Sequence, residues 1–395
     1  MGEQARGVVA FTKTERGLIA GASFLVFTRV FAFSLTTLGF TEYARGLVPA
    51  GTDAATASLW AGVALGAYGV TMALAQLAAG WLSDRVGRRT VLLGGSLLFV
   101  LGGVLCATAT TVPFLVLGRL VAGLGGVSSV AMAAVGETVP DERRTRAMAM
   151  VGVPAGLGVF LGFIVGPPVA AAFGFTTLFW CTAALGLLAA LPSMRAMPAP
   201  LPGLATPNRS LSAPVLALGL AGFSINFAMN TVMFDFQSGV LTRIGETALA
   251  LILVAALVIM GGISRRMDKG GLAHVAIASA LALLALAAPT FRLAGTWWIV
   301  VAAGVAFFAA HATLSAVLPS QVSRLAGRSG GLGHGIQLVM AYLGSAVGGL
   351  VAGRFAGGLA PAFEGLAVLA GLAAVLALRT LARREPSPAS AVPQP

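Results

Sequence analysis

Charge is scarce in this sequence. Only 10% of its 395 residues are Asp, Glu, Lys or Arg, against about a quarter in globular chains. A soluble fold of that length has too few to clothe its surface. Acids are the scarcer sign, 13 against 25 Lys and Arg, which leaves a net charge of +12. The excess does not read as a nucleic-acid surface, because the basic residues fall in short clusters between apolar runs and not beside aromatic platforms. The two cysteines, Cys106 and Cys181, both lie in apolar runs, which excludes a disulfide framework and a zinc-ligand spacing. The three histidines form no cluster. No phosphate-binding loop of the G-x-x-x-x-G-K-[ST] form occurs, and neither a nucleophile–base motif nor paired carboxylates appear. No enzyme, cofactor or metal centre is therefore expected. The first apolar run is too long for a signal core and no A-x-A site follows it, so no cleavable leader is expected either.

Apolar surface is what the chain has in excess, with 57% hydrophobic residues and a mean hydropathy of +0.92. Stretch after stretch reaches the roughly 20 apolar residues that cross a hydrocarbon core as a helix. Turn signals divide them near 17–41, 56–82, 90–109, 112–136, 146–173, 176–194, 213–240, 245–265, 272–290, 296–322, 331–358 and 361–382. The 52 glycines suit helices that must approach closely in lipid. One stretch cannot span: RAMPAPLPGLATPNRSLS, at 195–212, is polar and Pro-rich. It separates an N-terminal six-helix bundle (1–194) from a C-terminal one (213–384), and a Pro-rich tail follows at 385–395. GWLSDRVGR at 80–88 and GGISRRMDK at 261–269 occupy the same place in the two halves. The expected fold is an all-α membrane protein of twelve transmembrane helices in two pseudo-symmetric bundles.

Orientation follows from the basic residues. With the N-terminus cytoplasmic, 19 Lys and Arg fall on the inner side and four (Arg45, Arg243, Arg292 and Arg354) on the outer, with Arg29 and Arg119 inside spans. Both termini are thus expected in the cytoplasm, with the protein in the inner membrane. GWLSDRVGRR concentrates four charges in ten residues between the second and third spans. Arg85, Arg88 and Arg89 serve topology and meet anionic headgroups. Asp84 does not, but an aspartate beside glycines at a helix end can accept free backbone N–H groups of a neighbouring helix.

These residues resemble the loop 2–3 signature of the major facilitator superfamily, matched at Gly80, Leu82, Asp84, Arg85, Gly87, Arg88 and Arg89. The resemblance implies that the aspartate latches the bundles in one state and that Arg88 pairs with an acid at the inner end of the fourth span, here Glu137. LVLGRLVAGLGG, at 115–126, resembles the fourth-span signature of proton-coupled members through Arg119 and Gly123, with Ala122 where glutamine is usual. GFIVGPP, at 162–168, resembles the antiporter signature through Gly162, Gly166 and Pro167. FTRVFAF, ERRTRAMAMVGV and AVLPS resemble the drug:proton antiporter (YajR-like) subfamily, whose extra C-terminal soluble domain is not expected here.

Ionisable groups inside a membrane are costly and default to functional candidates. Arg29 and Arg119 stay charged, so they can bind a substrate anion or favour a neighbouring carboxylate's ionised form but cannot carry the proton. Candidate carriers are Asp235, His311 and the outer Glu42. Ser315 stands where the subfamily often has a glutamate. The fold implied by the resemblance turns the first, fourth, seventh and tenth spans toward a central cavity. Its lining would include Phe31, Phe33, Asn226, Phe227, Asn230, Met233, Phe234 and Phe308, apolar with a few polar handles, which suits an amphipathic ligand. The expected activity is proton-coupled export of a small amphipathic compound by a monomer, with protons, the substrate and the bilayer as its partners. The alternative is uptake or facilitated movement of a small anionic or polar metabolite held by Arg29 and Arg119.

Overall fold

In the computed structural model, residues 10–197, 213–234, 236–267, 273–293, 295–326, 330–355 and 360–382 are described. Positions 198–212, Asp235 and 383–395 lie outside them, so most of the expected linker and tail fall there, as do the side chains of Asp84 and of the 261–267 segment. Among the described residues every regular element is a helix. The N-terminal half holds α1 (Lys13–Leu35), α2 (Phe40–Gly46), α3 (Ala54–Val86), α4 (Arg88–Ala107), α5 (Val112–Leu124), α6 (Ser128–Thr138), α7 (Asp141–Phe173) and α8 (Phe175–Ala196). The C-terminal half holds α9 (Ala213–Phe234), a π-helical stretch (Phe236–Leu241), α10 (Thr242–Met267), α11 (Ala273–Leu293), α12 (Trp297–Ala326), α13 (Gly330–Arg354) and α14 (Ala360–Ala382).

The lengths answer to lipid. Nine segments among the described residues are long and apolar enough to cross a bilayer, α5 and α6 together making one of them. Shorter apolar stretches in α10, α11 and α14 supply three more, and the fold is the twelve-helix one. Helix ends carry the expected caps. Thr12 Oγ1 accepts the Glu15 N–H at 3.2 Å while Glu15 Oε2 accepts the Thr12 N–H at 2.7 Å, a reciprocal box at the start of α1. Asp53 accepts from Thr56 at α3, and those bonds hold its carboxyl below the usual aspartate range. Gly87 (φ 89°) and Gly174 (φ 83°) each join two long helices as a one-residue hinge, at a left-handed φ that favours glycine.

Three spans differ from the sequence expectation. The first ends at Leu35, and the chain turns before adding α2. The fourth breaks at Gly125–Val127, where two consecutive glycines let the helix stop and restart as α6. The seventh is α-helical only to Phe234, with the π stretch beyond. The Gly125 break falls where the apolar pattern runs on unbroken, so hydropathy carries no sign of it, whereas the other two fall at polar residues, Thr36–Thr37 and Gln237–Ser238.

Call the ends bearing Lys13, Arg85–Arg89, Arg143 and Arg195 the basic face and the opposite ends the distal face. Within the N-terminal half α1 lies on α7 along a stripe of small residues. A methyl on Gly162 would come within 2.5 Å of Ser34 Cβ, and one on Gly166 within 2.5 Å of the Leu35 carbonyl. The two halves meet along the distal half of α3 and along α13. Methyls on Gly62, Gly66 and Gly69 would stand 2.6 Å from Gly349 O, 2.6 Å from Ala346 O and 2.7 Å from Tyr342 O. One on Gly353 would stand 2.7 Å from Ser58 O. The 62–66–69 spacing puts all three glycines on one helix face. Phe160 and Phe163 of α7 extend the contact onto Phe308 of α12, with ring centroids 6.3 and 6.0 Å apart. Toward the basic face, Leu338 of α13 packs against the N-terminal half's cluster.

The seam therefore rests on backbone approach, and a single methyl tests it. Gly66→Ala is expected to destabilise the detergent-purified protein by about 1–3 kcal/mol through overpacking, read as a lower thermal unfolding midpoint. Gly94, which has open space around it, is the control: Gly94→Ala should leave the midpoint unchanged or slightly raised.

Candidate functional site: a polar centre in the membrane and an ion-paired basic face

At the basic face the loop between α3 and α4 is built into the ends of its neighbours. Arg88, in the first turn of α4 and itself buried, pairs with Glu137 near the end of α6. Arg89 donates from Nε and Nη2 to the Met197 carbonyl at 3.2 and 3.0 Å, closing the C-terminus of α8. Arg85 lies over the Trp81 ring at 3.7 Å, and both are exposed. Gly80 is inside α3, and Gly87 is the hinge. Arg143 pairs with Glu15 at 3.0 Å and donates to the Ala10 carbonyl at 2.7 Å, while Arg146 stands 5.3 Å from the Phe11 ring centroid. Glu15 and its box were not singled out from sequence. A Thr-x-x-Glu ahead of the first apolar run was the available signal.

The membrane interior holds two buried guanidiniums with different surroundings. Arg29 of α1 donates from Nη1 to the Gly125 carbonyl at 2.5 Å and from Nη2 to Ser96 Oγ at 3.1 Å, with the Phe99 ring 4.7 Å away. The α5–α6 break frees the Gly125 carbonyl from the helical ladder, and Arg29 caps it. Arg119 of α5 makes no hydrogen bond among the described residues. It sits instead among the rings of Phe33, Phe40 and Tyr68, at 5.3, 4.8 and 4.8 Å. Tyr68 and Tyr342 belong to this centre and were missed, because tyrosines in apolar helices carry no distinctive spacing. Tyr342 packs from α13 against the cluster of Ala32, Tyr68 and Phe99, so the centre abuts the seam between the halves.

The remaining candidates are spread out. Phe31 stacks on Phe27 at 5.7 Å beside α7. Asn226 donates into its own helix, to Gly222 O at 3.0 Å, and Asn230 reaches Ser345 Oγ of α13 at 2.8 Å. Phe227 stacks on Phe223 at 5.9 Å, Met233 is core, and Phe308 joins an aromatic cluster with Phe291 and Phe307. Phe234 is fully buried, with Arg45 5.0 Å over its ring. His311 is buried mid-way along α12 and has no polar partner among the described residues. Glu42 and Pro167 line a cavity of about 300 Å³ at the distal face, together with Tyr43, Phe175 and Leu241 of the other half. Asp235 and the Asp84 side chain lie outside the described residues. A further carboxylate, Glu364 of α14, is buried and accepts from Thr231 Oγ1 at 3.2 Å. An acid within the last apolar segment was the signal for it.

Comparison with known proteins follows the same lines. The family model for the Major Facilitator Superfamily matches residues 18–333. The inner membrane transport protein YajR of Escherichia coli K12 is 36% identical over 124 residues, 31% of this chain and 27% of that protein. The multidrug resistance protein B homolog of Mycobacterium tuberculosis H37Rv is 35% identical over 172 residues, 42% of this chain and 32% of that one. The chain thus spans about a third or less of the length of each of these relatives. The xylose transporter XylE from E. coli, in a partially occluded inward open conformation, superposes with a TM-score of 0.73 at 15% identity, covering 95% of this chain and all of that one.

Arg29's two donors diverge to acceptors on different helices, a geometry the ammonium of lysine does not reproduce. Arg29→Lys is expected to cost about 1–3 kcal/mol, seen as a lower thermal midpoint. Arg119→Lys, with no hydrogen bond to lose, should cost less. Equal midpoints for Arg29→Lys and the parent protein would refute the capping role.

Proposed function

The chain belongs to the major facilitator superfamily, and on that footing we propose that it is a proton-coupled exporter of small amphipathic organic compounds, working by alternating access. One observation carries the mechanism: the distal halves of α3 and α13 touch at backbone distance, with no hydrogen bond or ion pair across the glycine seam among the described residues. Such a contact is stabilised by dispersion and fit alone. It separates without stripping buried charges and re-forms without searching for partners. At the other end, Arg88 paired with Glu137 and the α3–α4 loop supply the charged contact, with Asp84 as the latch between bundles. Gly162, Gly166 and Pro167 keep α7 tight on α1 so that the bundle turns as a body. The basic face is the cytoplasmic one, and both termini lie on it.

Export is favoured over uptake by the company the chain keeps, a relative named for multidrug resistance among them. A proton gradient is the energy source in this reading. His311, Asp235 and Glu42 are its candidate carriers, and Arg29, Arg119, Phe31, Asn226, Asn230 and Phe234 belong to the pathway. The second reading, movement of a small anion without proton exchange, draws on the two buried guanidiniums.

The test uses everted vesicles containing the full chain. A fluorescent amphipathic drug should accumulate and release protons to a pH dye in proportion to its concentration. A pH trace independent of drug excludes antiport. Asp84→Asn is expected to slow flux at least tenfold with little change in drug binding, and undiminished flux would remove the latch role.

A further inference from the structure

At the distal face the C-terminal half sends an aromatic ring into the N-terminal one. Phe234, the last residue of α9, is 0% exposed. The cluster that buries it is built mostly from the N-terminal half, with Phe40, Ala61, Leu65 and Phe179 among its members. Met233 and Phe236, on either side, belong instead to the cluster built mostly from their own half. Arg45 of α2 stands over the Phe234 ring, 5.0 Å from its centroid, and its Nη2 donates to Ser58 Oγ of α3 at 3.3 Å.

The two partners are held by different bodies. Arg45 is preset by the N-terminal half, where α2 is pinned to α8 by Tyr43 stacked on Phe175 at 4.7 Å and by Phe40 edge-on to Phe179 at 6.4 Å. Phe234 is preset by the C-terminal half, where Asn230, one turn earlier in α9, donates to Ser345 Oγ of α13 at 2.8 Å. Beside the pair, Glu42, Tyr43 and Leu241 border the cavity of about 300 Å³, so the packing of α2 on the C-terminal half is open there. Phe234 is the filled part of that boundary. Its contact with Arg45 suits a joint that must both hold and release. A cation is attracted to a ring face more strongly once water is excluded. Arg45 is only half-buried, at the end of the molecule, so losing the ring returns its charge to water and strands none in lipid.

We propose that Arg45 and Phe234 form the closing contact of the distal face, a ring of one half seated under a cation of the other. The contact is made when the pathway is shut on that side and broken when it opens, and so rests on the alternating-access reading. The test introduces Leu65→Cys, in the cluster that Phe234 enters, into the full chain carrying Cys106→Ala and Cys181→Ala. The rate of labelling by a bulky water-soluble maleimide is then measured on detergent-purified protein. Phe234→Leu, which keeps apolar bulk but removes the ring, and Arg45→Met, which keeps length but removes the charge, should each speed labelling at least threefold. The double variant should be no faster than the faster single one, because both act through one contact. Arg354→Met is the control: that arginine lies at the same face, exposed, over the Phe355 ring of its own chain segment at 5.7 Å, and its loss should leave the rate unchanged. A rise of less than threefold in Arg45→Met overturns the assignment, and this half-exposed position keeps the test open even if Phe234→Leu fails to fold. Rises that multiply in the double variant, or an equal rise in Arg354→Met, overturn it as well. The measurement needs no gradient and no drug. Unchanged labelling beside drug-driven proton release therefore sinks the contact alone, and faster labelling without proton release sinks antiport alone.

Discussion

A backbone carbonyl that leaves its helix inside a bilayer has no water to turn to, and much of this molecule is organised around that constraint. Unbroken helices satisfy it by themselves. The fourth span does not, because its two glycines open the ladder at Gly125. The guanidinium of Arg29, itself expensive to bury, meets the freed carbonyl and Ser96 together. Each of two costly groups is thereby the other's partner. On the far side of the break the Ser129 amide has the corresponding need, and Gln76 of α3 meets it. The discontinuity is held from both sides by polar side chains of other helices, which is why it can persist in an apolar medium.

Helices that satisfy their own backbones gain nothing from water on association, so close approach becomes the main attractive term. The glycine stripes follow. Between α1 and α7 they bind a half together, and between α3 and α13 they bind one half to the other. The two uses differ in company. The first lies beside the polar ties of Ser23 to Met150 O and Thr182 to Ala32 O, while the second is bare fit. In the proposed alternating-access cycle this second surface parts, and dispersion serves that better than buried ion pairs, since a charge stripped of its partner in lipid costs far more than a lost van der Waals contact. Among the described residues the ion pairs sit instead at the basic face, where Arg88 meets Glu137 and Arg143 meets Glu15, and Arg89 closes a helix end through the Met197 carbonyl.

The sequence disclosed those parts of the fold that rest on composition. Twelve apolar segments are a sum over many residues, and such a sum survives local exceptions. The break after Leu124 depends on how a few residues meet distant ones. Gly125–Gly126 reads in sequence like any small-residue pair in a span. What makes it an interruption is Arg29, 96 residues away, and Ser96 beyond it. Arg88 and Glu137 were brought together on paper by resemblance and are in contact in the fold. Arg29 and Arg119 were legible as costly groups, yet their difference was not, because a capped guanidinium and a ring-caged one look identical in one-letter code. The surroundings of the residues expected on the lining differ in a way helix order does not express. Phe33 stands at the polar centre, whereas Phe234 and Phe308 are core.

That difference between the two arginines bears on how a transport cycle could be wired. Arg29 is fully engaged at its Nη atoms, so removing it opens the helix break and the damage is structural. Arg119 holds its charge against ring faces, with no hydrogen bond among the described residues. Cation–π attraction stabilises a guanidinium only in part once it is desolvated, so this cation gains most from any acceptor that arrives. Tyr68 beside it belongs to the cluster that Tyr342 packs against from α13, the helix whose glycines form the seam with α3. An acceptor bound at Arg119 would therefore alter the packing of α13 against the N-terminal half. Occupancy at the centre and closure of the distal seam then share one element, and coupling between them needs no longer path than the α3–α13 interface.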